Sequence, residues 1–293
     1  MRRWAGVVLG VFAVVALAAC RARDTIRVGS KNFTEQVVLG EIAAQALEAE
    51  GLEVERKLDL GGTFVCHQAL VAGELDLYPE YTGTAFTAIL KEKPISDPPR
   101  VRDTVAREYA NRWKLVWLPP LGFENTFALV MRADDARRLG VTRISDLAAH
   151  PELRPGFGYE FVERADGYPG LAAAYGLAFR SRPREMDLGL LYAALGQGQV
   201  DVVAGNSTDG LIAAMGLVVL EDDRRYFPPY EAAFVTRRTL ADEPRARRAL
   251  DRLSGAIPAE TMRKMNAAVD RDRKAPRDVA REFLAALPPR PGA

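Results

Sequence analysis

The sequence predicts an α/β protein built from two units, each with a mainly parallel sheet. Strand-like runs alternate with helical runs at the start of the chain, the alternation returns in the second half, and no low-complexity linker separates the halves. Two such units without a linker suggest lobes that exchange strands. The 293 residues, of which 48% are hydrophobic, suffice for one large domain or two of ordinary size.

The chain begins with the pattern of an export signal. Arg2 and Arg3 precede an apolar run, "WAGVVLGVFAVVALAA", that is short for a membrane span of about twenty residues. The run ends in "LAAC", which resembles the lipobox of bacterial lipoproteins, so residues 1–20 are expected to be a signal peptide cleaved before a lipidated Cys20. The protein would then be anchored to a bacterial membrane, facing the periplasm or the cell exterior. An ordinary cleaved signal or an anchor helix is the alternative.

The rest of the chain carries little net charge. Loss of Arg2 and Arg3 lowers the formal charge from +1 to −1, so the long-range field of a nucleic-acid-binding protein is missing. With Cys20 lipidated, Cys66 is the only other cysteine, and no disulfide can form within the chain. We therefore expect no nucleic-acid partner and a monomer that its core stabilises.

The first half predicts strand, helix, strand and helix in turn. "TIRVGS" (25–30) is β-branched, and the helix after it has a start signal at Asn32 and Glu35 and a stop at Gly51. "LEVERKLDL" alternates as a strand does, and "TFVCHQALVAG" is a short helix that ends at Gly73. "DLYPEYTGT" (76–84) then predicts a strand that turns into a helix. A plain turn would not need the two tyrosines and two threonines of this segment. A well-packed corner is the simplest explanation of them.

The second half repeats the alternation. "KEKPISDPPR" predicts a surface loop, residues 101–113 a helix, and "KLVWLPPLGF" and "FALVMRA" two strands. A second α/β stretch runs from "VTRISDLAA" to "VDVVAG", and residues 244–287 predict helices with a solvated, arginine-rich face. "ALVAGELDLYPEYTG" (69–83) and "ALGQGQVDVVAGNSTDG" (194–210) echo each other weakly. Each half thus has a helix start after a strand, where ligands of open sheets bind.

An enzymatic site finds little support in the sequence. His67 and His150 have no metal-type partner at i+3 or i+4, and no G-x-S-x-G, P-loop or G-x-G-x-x-G motif is present. Cys66 and His67 are neighbours that point about 100° apart on a helix, which disfavours a nucleophile pair. We predict a binding protein with neither a cofactor nor a metal. Aromatic residues near the corners suit a cation, and Lys31 and Arg164 suit a carboxylate.

Several segments resemble, in order, those of a known family. "GSKNFTEQVVLGEI", "GGT", "GELDLYPEYTGT", "NTFAL", "ERADGYPGL", "STDGLI" and "FPPYEAA" are similar to signature segments of the substrate-binding proteins of osmoprotectant ABC importers, which take up glycine betaine, choline, carnitine and similar quaternary amines. The resemblance implies a type II periplasmic-binding-protein fold, with two lobes hinged by two crossing strands. It implies lobe I at 24–125 plus 231–288, lobe II at 126–230, and permease and ATPase subunits as partners.

The same resemblance implies a ligand site. Tyr81 and Tyr230 match cage tyrosines, and Lys31, Thr84 and Arg164 match the donors to the ligand carboxylate. Two positions depart from the pattern, because Phe127 and Asn206 stand where tyrosines are usual. The expected ligand-binding residues are Lys31, Tyr81, Thr84, Asn125, Phe127, Arg164, Asn206 and Tyr230.

Asn206 leaves the ligand open. Phe127 keeps an aromatic face, whereas Asn206 replaces a cage wall by an amide. The ligand is expected to be a quaternary ammonium zwitterion of the glycine betaine type. The alternative is a bulkier betaine such as carnitine or ergothioneine, whose polar group Asn206 would bind. Two other classes stay open, a ligand-sensing receptor domain and a periplasmic enzyme on the same scaffold.

Overall fold

The computed structural model describes residues 25–288, which form two five-stranded sheets. Its strands are β1 (Ile26–Lys31), β2 (Val54–Gly61), β3 (Leu77–Tyr81), β4 (Leu115–Trp117), β5 (Phe127–Arg132), β6 (Pro155–Phe157), β7 (Arg184–Glu185), β8 (Val202–Asn206), β9 (Leu217–Val219) and β10 (Ala232–Arg237). The first sheet has the order β2-β1-β3-β10-β4 and defines lobe I. The second has the order β7-β6-β8-β5-β9 and defines lobe II. The two-lobed α/β class is therefore confirmed.

Helices cover both sheets. They are α1 (Thr34–Glu48), α2 (Thr63–Ala72), α3 (Thr82–Thr84), α4 (Pro98–Trp113), α5 (Ala133–Leu139), α6 (Tyr159–Glu163), α7 (Tyr168–Tyr175), α8 (Leu188–Gly196), α9 (Gly210–Ala214), α10 (Arg238–Ala241), α11 (Pro244–Asp251), α12 (Ala259–Asp270) and α13 (Pro276–Ala286). A π-helical turn at Ala85–Ile89 continues α3, and a 3-10 helix spans Ile144–Ala149. Among residues 25–288, no helix is both long and apolar enough to span a membrane.

Two segments cross between the lobes and pair with each other. The chain enters lobe II at β5 and returns to lobe I at β10. Just before these two strands, Glu124 and Glu231 form an isolated antiparallel bridge, and the backbone N–H of Asn125 donates to the carbonyl of Tyr230 at 3.1 Å. These are the two crossing strands that the resemblance implied.

The crossing strands also make each sheet mixed. In lobe I, β1 runs parallel to β2 and β3, while β10 runs antiparallel to β3 and β4. In lobe II, β6 runs parallel to β7 and β8, while β5 runs antiparallel to β8 and β9. In each sheet four of the five strands therefore point the same way and only the crossing strand runs against them, so the prediction of mainly parallel sheets is confirmed. A strand that arrives from the other lobe enters the sheet at its opposite end and therefore runs antiparallel to its neighbours.

The corner at residues 76–84 is packed against the returning crossing segment. A Cβ on Gly83 would lie 2.6 Å from the carbonyl oxygen of Pro229 and 2.7 Å from Cδ1 of Tyr230. The hydroxyl of Thr82 donates to the carbonyl of Pro229 and accepts from the N–H of Glu231. Thr82 and Gly83 thus join the corner to the returning crossing segment.

The C-terminal region is helical, as the sequence predicts. Helices α11, α12 and α13 all pack on α1, the long helix of lobe I. Their buried side chains, among them Leu250, Met262 and Val279, belong to one hydrophobic core with Val38, Leu39 and Ile42 of α1. Most of their arginines remain exposed and pair with neighbouring carboxylates, which fits a solvated face.

Candidate functional site

A cavity of about 250 Å³ lies between the lobes. Both lobes and both crossing segments contribute to its wall, which is more apolar than polar. All eight ligand-binding residues expected from the sequence are on this wall: Lys31, Tyr81, Thr84, Asn125, Phe127, Arg164, Asn206 and Tyr230. The wall also contains side chains that the sequence did not indicate, chiefly Phe33, Thr63, Tyr159, Glu160, Phe161, Met186, Asp187 and Leu188.

The wall residues sit where strands end. Lys31 is the last residue of β1, Tyr81 the last of β3 and Asn206 the last of β8. Arg164 follows α6, the short helix that continues from β6. Because the carboxyl ends of neighbouring parallel strands meet at one edge of a sheet, these side chains converge on the space between the lobes.

Arg164 is a buried cation that one carboxylate holds in place. Its Nε donates to Oδ1 of Asp166 at 2.9 Å and its Nη2 to Oδ2 at 2.6 Å, while Nη2 lies 3.3 Å from the hydroxyl of Thr84. Burial alone would lower the pKa of the guanidinium, but the charge of Asp166 raises it, so Arg164 stays protonated. The Tyr230 hydroxyl donates to Asp166 at 2.7 Å and steadies the pair. The Nη1 atom is 3.7 Å from Glu160, outside hydrogen-bond distance.

Lys31 is also buried, and its charge is already paired. Its Nζ lies 2.5 Å from Oε1 of Glu80 and donates to the hydroxyl of Thr63 at 3.1 Å. The same Nζ lies 5.3 Å from the centre of the Tyr81 ring. Lys31 is therefore less available to a ligand carboxylate than the sequence suggests, because Glu80 neutralises it. No sequence pattern indicated this pairing, since Glu80 reads only as part of the corner.

Aromatic rings form the rest of the wall. Phe127 and Tyr230 meet edge to face, with ring centres 5.9 Å apart and planes at 76°. Phe127 also packs edge to face on Phe161, at 4.8 Å, and the guanidinium of Arg164 lies 5.1 Å from its centre. Such contacts fix the orientation of the rings and leave them as rigid apolar faces.

Asn206 stands directly opposite Phe127 in the ladder between β5 and β8. Its backbone N–H donates to Oδ2 of Asp209 at 2.8 Å, but its side-chain amide is 3.5 Å from Oδ1 of the same residue. The Asn206 amide is therefore held only weakly. Burial raises the pKa of Asp209 to about 6, and the nearby charge of Glu35 adds to this, although hydrogen bonds from Tyr192 and Asn206 oppose it.

Glu35 connects both lobes and a crossing segment next to the cavity. Its fully buried carboxylate accepts hydrogen bonds from the hydroxyls of Tyr81 (2.6 Å) and Thr208 (2.5 Å) and from the amides of Asn125 (2.8 Å) and Asn266 (3.1 Å). These four donors come from lobe I, lobe II, a crossing segment and helix α12. Burial raises the pKa of Glu35 despite the four hydrogen bonds. The sequence indicated Glu35 only as a helix start.

Cys66 and His67 lie in the core of lobe I. Burial raises the pKa of the Cys66 thiol to about 12 and lowers the pKa of His67 to about 4. The His67 ring packs edge to face on Tyr109 and Trp113. A thiol nucleophile needs the opposite shift of its pKa, so the environment of Cys66 does not activate it.

Comparisons with known proteins agree with this geometry. Residues 24–286 match the family model described as the substrate binding domain of ABC-type glycine betaine transport systems. The carnitine transport binding protein OpuCC of Listeria monocytogenes is 36% identical over 268 residues, which cover 90% of this chain and 87% of that protein. The ergothioneine transport permease/ergothioneine binding protein EgtU of Helicobacter pylori is 36% identical over 89% of this chain, which spans 47% of that longer protein.

A solved structure is similar to the whole fold. The crystal structure of a glycine betaine/carnitine/choline ABC transporter superposes with a TM-score of 0.73 at 32% sequence identity. The match covers 89% of this chain and 97% of that one, so both lobes and both crossing segments are included.

Proposed function

Because the chain belongs to the family of substrate-binding domains of ABC-type glycine betaine transport systems, we propose that the cavity between its lobes binds a quaternary ammonium zwitterion. The chain is thus the extracytoplasmic solute-binding component of an importer that includes a permease and an ATPase. One observation carries the ligand class. A single space between the lobes contains both a buried arginine and a set of aromatic rings.

The arginine end of the cavity suits a carboxylate. Asp166 occupies the Nε and Nη2 edge of Arg164, so the Nη1 atom is the donor that a ligand carboxylate would approach. The Thr84 hydroxyl lies 3.3 Å from Nη2 of the same guanidinium. Charge-assisted hydrogen bonds are about twice as strong as neutral ones. Lys31 is neutralised by Glu80 and would contribute mainly through its hydrogen bond to Thr63, which also lines the cavity.

The aromatic end suits a quaternary ammonium group. Tyr81, Phe127 and Tyr230 each present a ring to the cavity, and cation–π attraction is worth about 0.5 to 2 kcal/mol per favourable contact. A methylated ammonium group has no N–H, so it needs faces rather than acceptors. The buried Oδ1 of Asn125 has no hydrogen-bond partner within residues 25–288 and could accept from a ligand that does carry a donor.

Asn206 favours a second candidate of the same class. Its weakly held amide can pair with an additional polar group on the ligand, which glycine betaine lacks. A bulkier betaine such as carnitine or ergothioneine has such a group, and the relatives named for these two compounds are each 36% identical to this chain. A bulkier betaine is therefore the second candidate ligand, after glycine betaine.

The proposal extends to the lobe boundaries, the membrane anchor and the oligomeric state. We propose lobe I at 24–125 plus 231–288 and lobe II at 126–230, which the membership of the two sheets supports. Cys20 lies outside the described residues, and we propose that it carries the lipid anchor. We also propose that the protein acts as a monomer, and neither an enzymatic step nor a sensory role has a supporting observation in the site.

Calorimetry on the wild type and three variants tests the proposed ligand class. The wild type should bind glycine betaine, carnitine or ergothioneine with one site per chain. Arg164→Ala should weaken that binding about 30-fold or more, because it removes a charge-assisted pair worth about 2 to 5 kcal/mol. Arg164→Lys keeps the charge but loses the bidentate contact with Asp166, and the exposed Arg180→Ala serves as the control. Binding by Arg164→Ala within a factor of about three of the wild type would refute the carboxylate assignment.

A further inference from the structure

Glu160 connects the two lobes from the wall of the cavity. It belongs to α6 of lobe II, and 34% of its side chain is exposed. Its carboxylate nevertheless contacts Thr63 of lobe I, since Oε1 accepts the backbone N–H of Thr63 at 2.5 Å and Oε2 accepts the hydroxyl at 2.9 Å. Both oxygens of a lobe II side chain are therefore engaged by lobe I.

The contact supplies a cap that helix α2 lacks. Thr63 is the first residue of α2, its N-cap Gly62 provides no side chain, and the first turn contains no acidic residue. Unpaired N–H groups and a partial positive charge at a helix start favour a carboxylate. Glu160 provides that carboxylate from the other lobe, so the cap exists only while the lobes are close together.

The cap lies in a line of alternating charges across the cavity. Glu80 pairs with Lys31 at 2.5 Å, and Lys31 donates to the Thr63 hydroxyl at 3.1 Å. Thr63 donates to Glu160, which lies 3.7 Å from Nη1 of Arg164. Glu160 is thus a carboxylate of the protein itself placed between the two cations of the proposed ligand site.

We propose that Glu160 is a latch between the lobes, that it competes with the ligand carboxylate for Thr63 and Arg164, and that it thereby sets the preference of the cavity between zwitterions and simple cations. This inference rests on the proposed function, because it concerns the same cavity. A zwitterion must bring a second carboxylate next to Glu160, which repels it. A cation without a carboxylate, such as choline, brings no such repulsion and is attracted by Glu160.

Gly62 allows the latch to be disturbed from the other lobe. A Cβ at this position would lie 2.1 Å from Oε1 of Glu160, so Gly62→Ala should push the carboxylate away without altering its charge. The φ of Gly62 is −79°, which alanine adopts without strain. Gly62→Ala therefore breaks the latch alone, whereas Glu160→Gln also removes the charge.

Calorimetric titrations with glycine betaine and choline test the competition, with the processed full chain purified in detergent. Glu160→Gln should bind glycine betaine more tightly and choline more weakly, so the ratio of their dissociation constants should shift about tenfold. Glu163→Gln makes the same charge change at an exposed position of the same helix and should leave the ratio unchanged. A ratio in Glu160→Gln within about twofold of the wild type, or a shift in the opposite direction, overturns the competition.

Distances between spin labels test the latch without any ligand. Labels at Glu74 of lobe I and Arg182 of lobe II, both exposed, report the separation of the lobes. Both Glu160→Gln and Gly62→Ala should shift the ligand-free distribution towards longer distances, whereas an unchanged distribution in both overturns the latch. If the wild type binds neither glycine betaine nor choline nor the bulkier betaines, the proposed function has failed, and the label distances still decide the latch.

Discussion

Asn206→Tyr would add an aromatic ring to the cavity wall at a position that now carries an amide. Asn206 faces Phe127 across the β5–β8 ladder, and Cβ atoms of directly opposed residues lie about 4.5 to 5.5 Å apart, so the new ring would stand beside an existing one. The backbone hydrogen bond to Asp209 would survive, and only the side-chain contact at 3.5 Å would be lost. The fold should therefore tolerate the change.

The expected gain is that of one further cation–π wall. About 0.5 to 2 kcal/mol corresponds to a roughly 2- to 30-fold tighter binding of glycine betaine. A bulkier betaine that uses the Asn206 amide should instead bind more weakly, because tyrosine fills the space and removes the partner. The two ligands should respond in opposite directions.

Calorimetric titration of both ligands measures these responses. Asn206→Ala is the matched control, since it removes the amide without adding a ring. It should weaken the bulkier betaine and leave glycine betaine nearly unchanged. If Asn206→Tyr neither strengthens glycine betaine nor affects the bulkier ligand, Asn206 does not contact the ligand and the proposed cage is wrong.

Three further changes have defined outcomes. Cys20→Ser should release the protein from the membrane fraction or block its processing, and normal processing with full membrane retention would exclude the lipid anchor. Asp209→Asn removes a carboxyl group whose folded-state pKa of about 6 exceeds its unfolded value, so folding favours its protonated form. The wild type should therefore lose up to about 3 kcal/mol of unfolding free energy relative to the variant as the pH rises from about 4 through 6. Urea unfolding across that range measures the difference, and a difference that stays constant with pH would contradict the prediction. Gly83→Ala should destabilise the chain by about 1 to 3 kcal/mol and weaken ligand binding, because its Cβ meets Pro229 and Tyr230, whereas Gly189→Ala, which meets nothing within 4 Å, should not; equal unfolding midpoints for the two variants would refute the packing argument.

Much of the fold follows from local patterns in the sequence. The helix α1 has apolar residues at helical spacing and a glycine stop, and the strands β1 and β8 are β-branched, so each could be predicted from its own residues. The mixed sheets could not, because the places of β5 and β10 depend on which lobe each strand joins. The hydrophobic periodicity of a strand does not indicate which strands will lie next to it in the sheet.

The site residues could likewise be predicted only in part from the sequence. The resemblance was sufficient to indicate eight residues that share one cavity, but not the charges that surround them. Glu35 reaches Thr208 and Asn266, which lie far away in the chain, and Glu160 reaches Thr63 across the cleft. Glu80 likewise gave no sign that it neutralises Lys31. Such pairings arise only when the lobes and the crossing segments are assembled, so a single sequence without its fold does not reveal them.

The place of β10 has a consequence for the order in which the protein can fold. Residues 127–219 supply every strand of the lobe II sheet in one continuous stretch, whereas the lobe I sheet must wait for β10 to fill the position between β3 and β4. Until residues 232–237 have been synthesised, β3 and β4 each present an unpaired edge on which another chain could add a strand. We expect nascent lobe I to need protection from aggregation until β10 has been synthesised, while lobe II can fold as soon as it emerges.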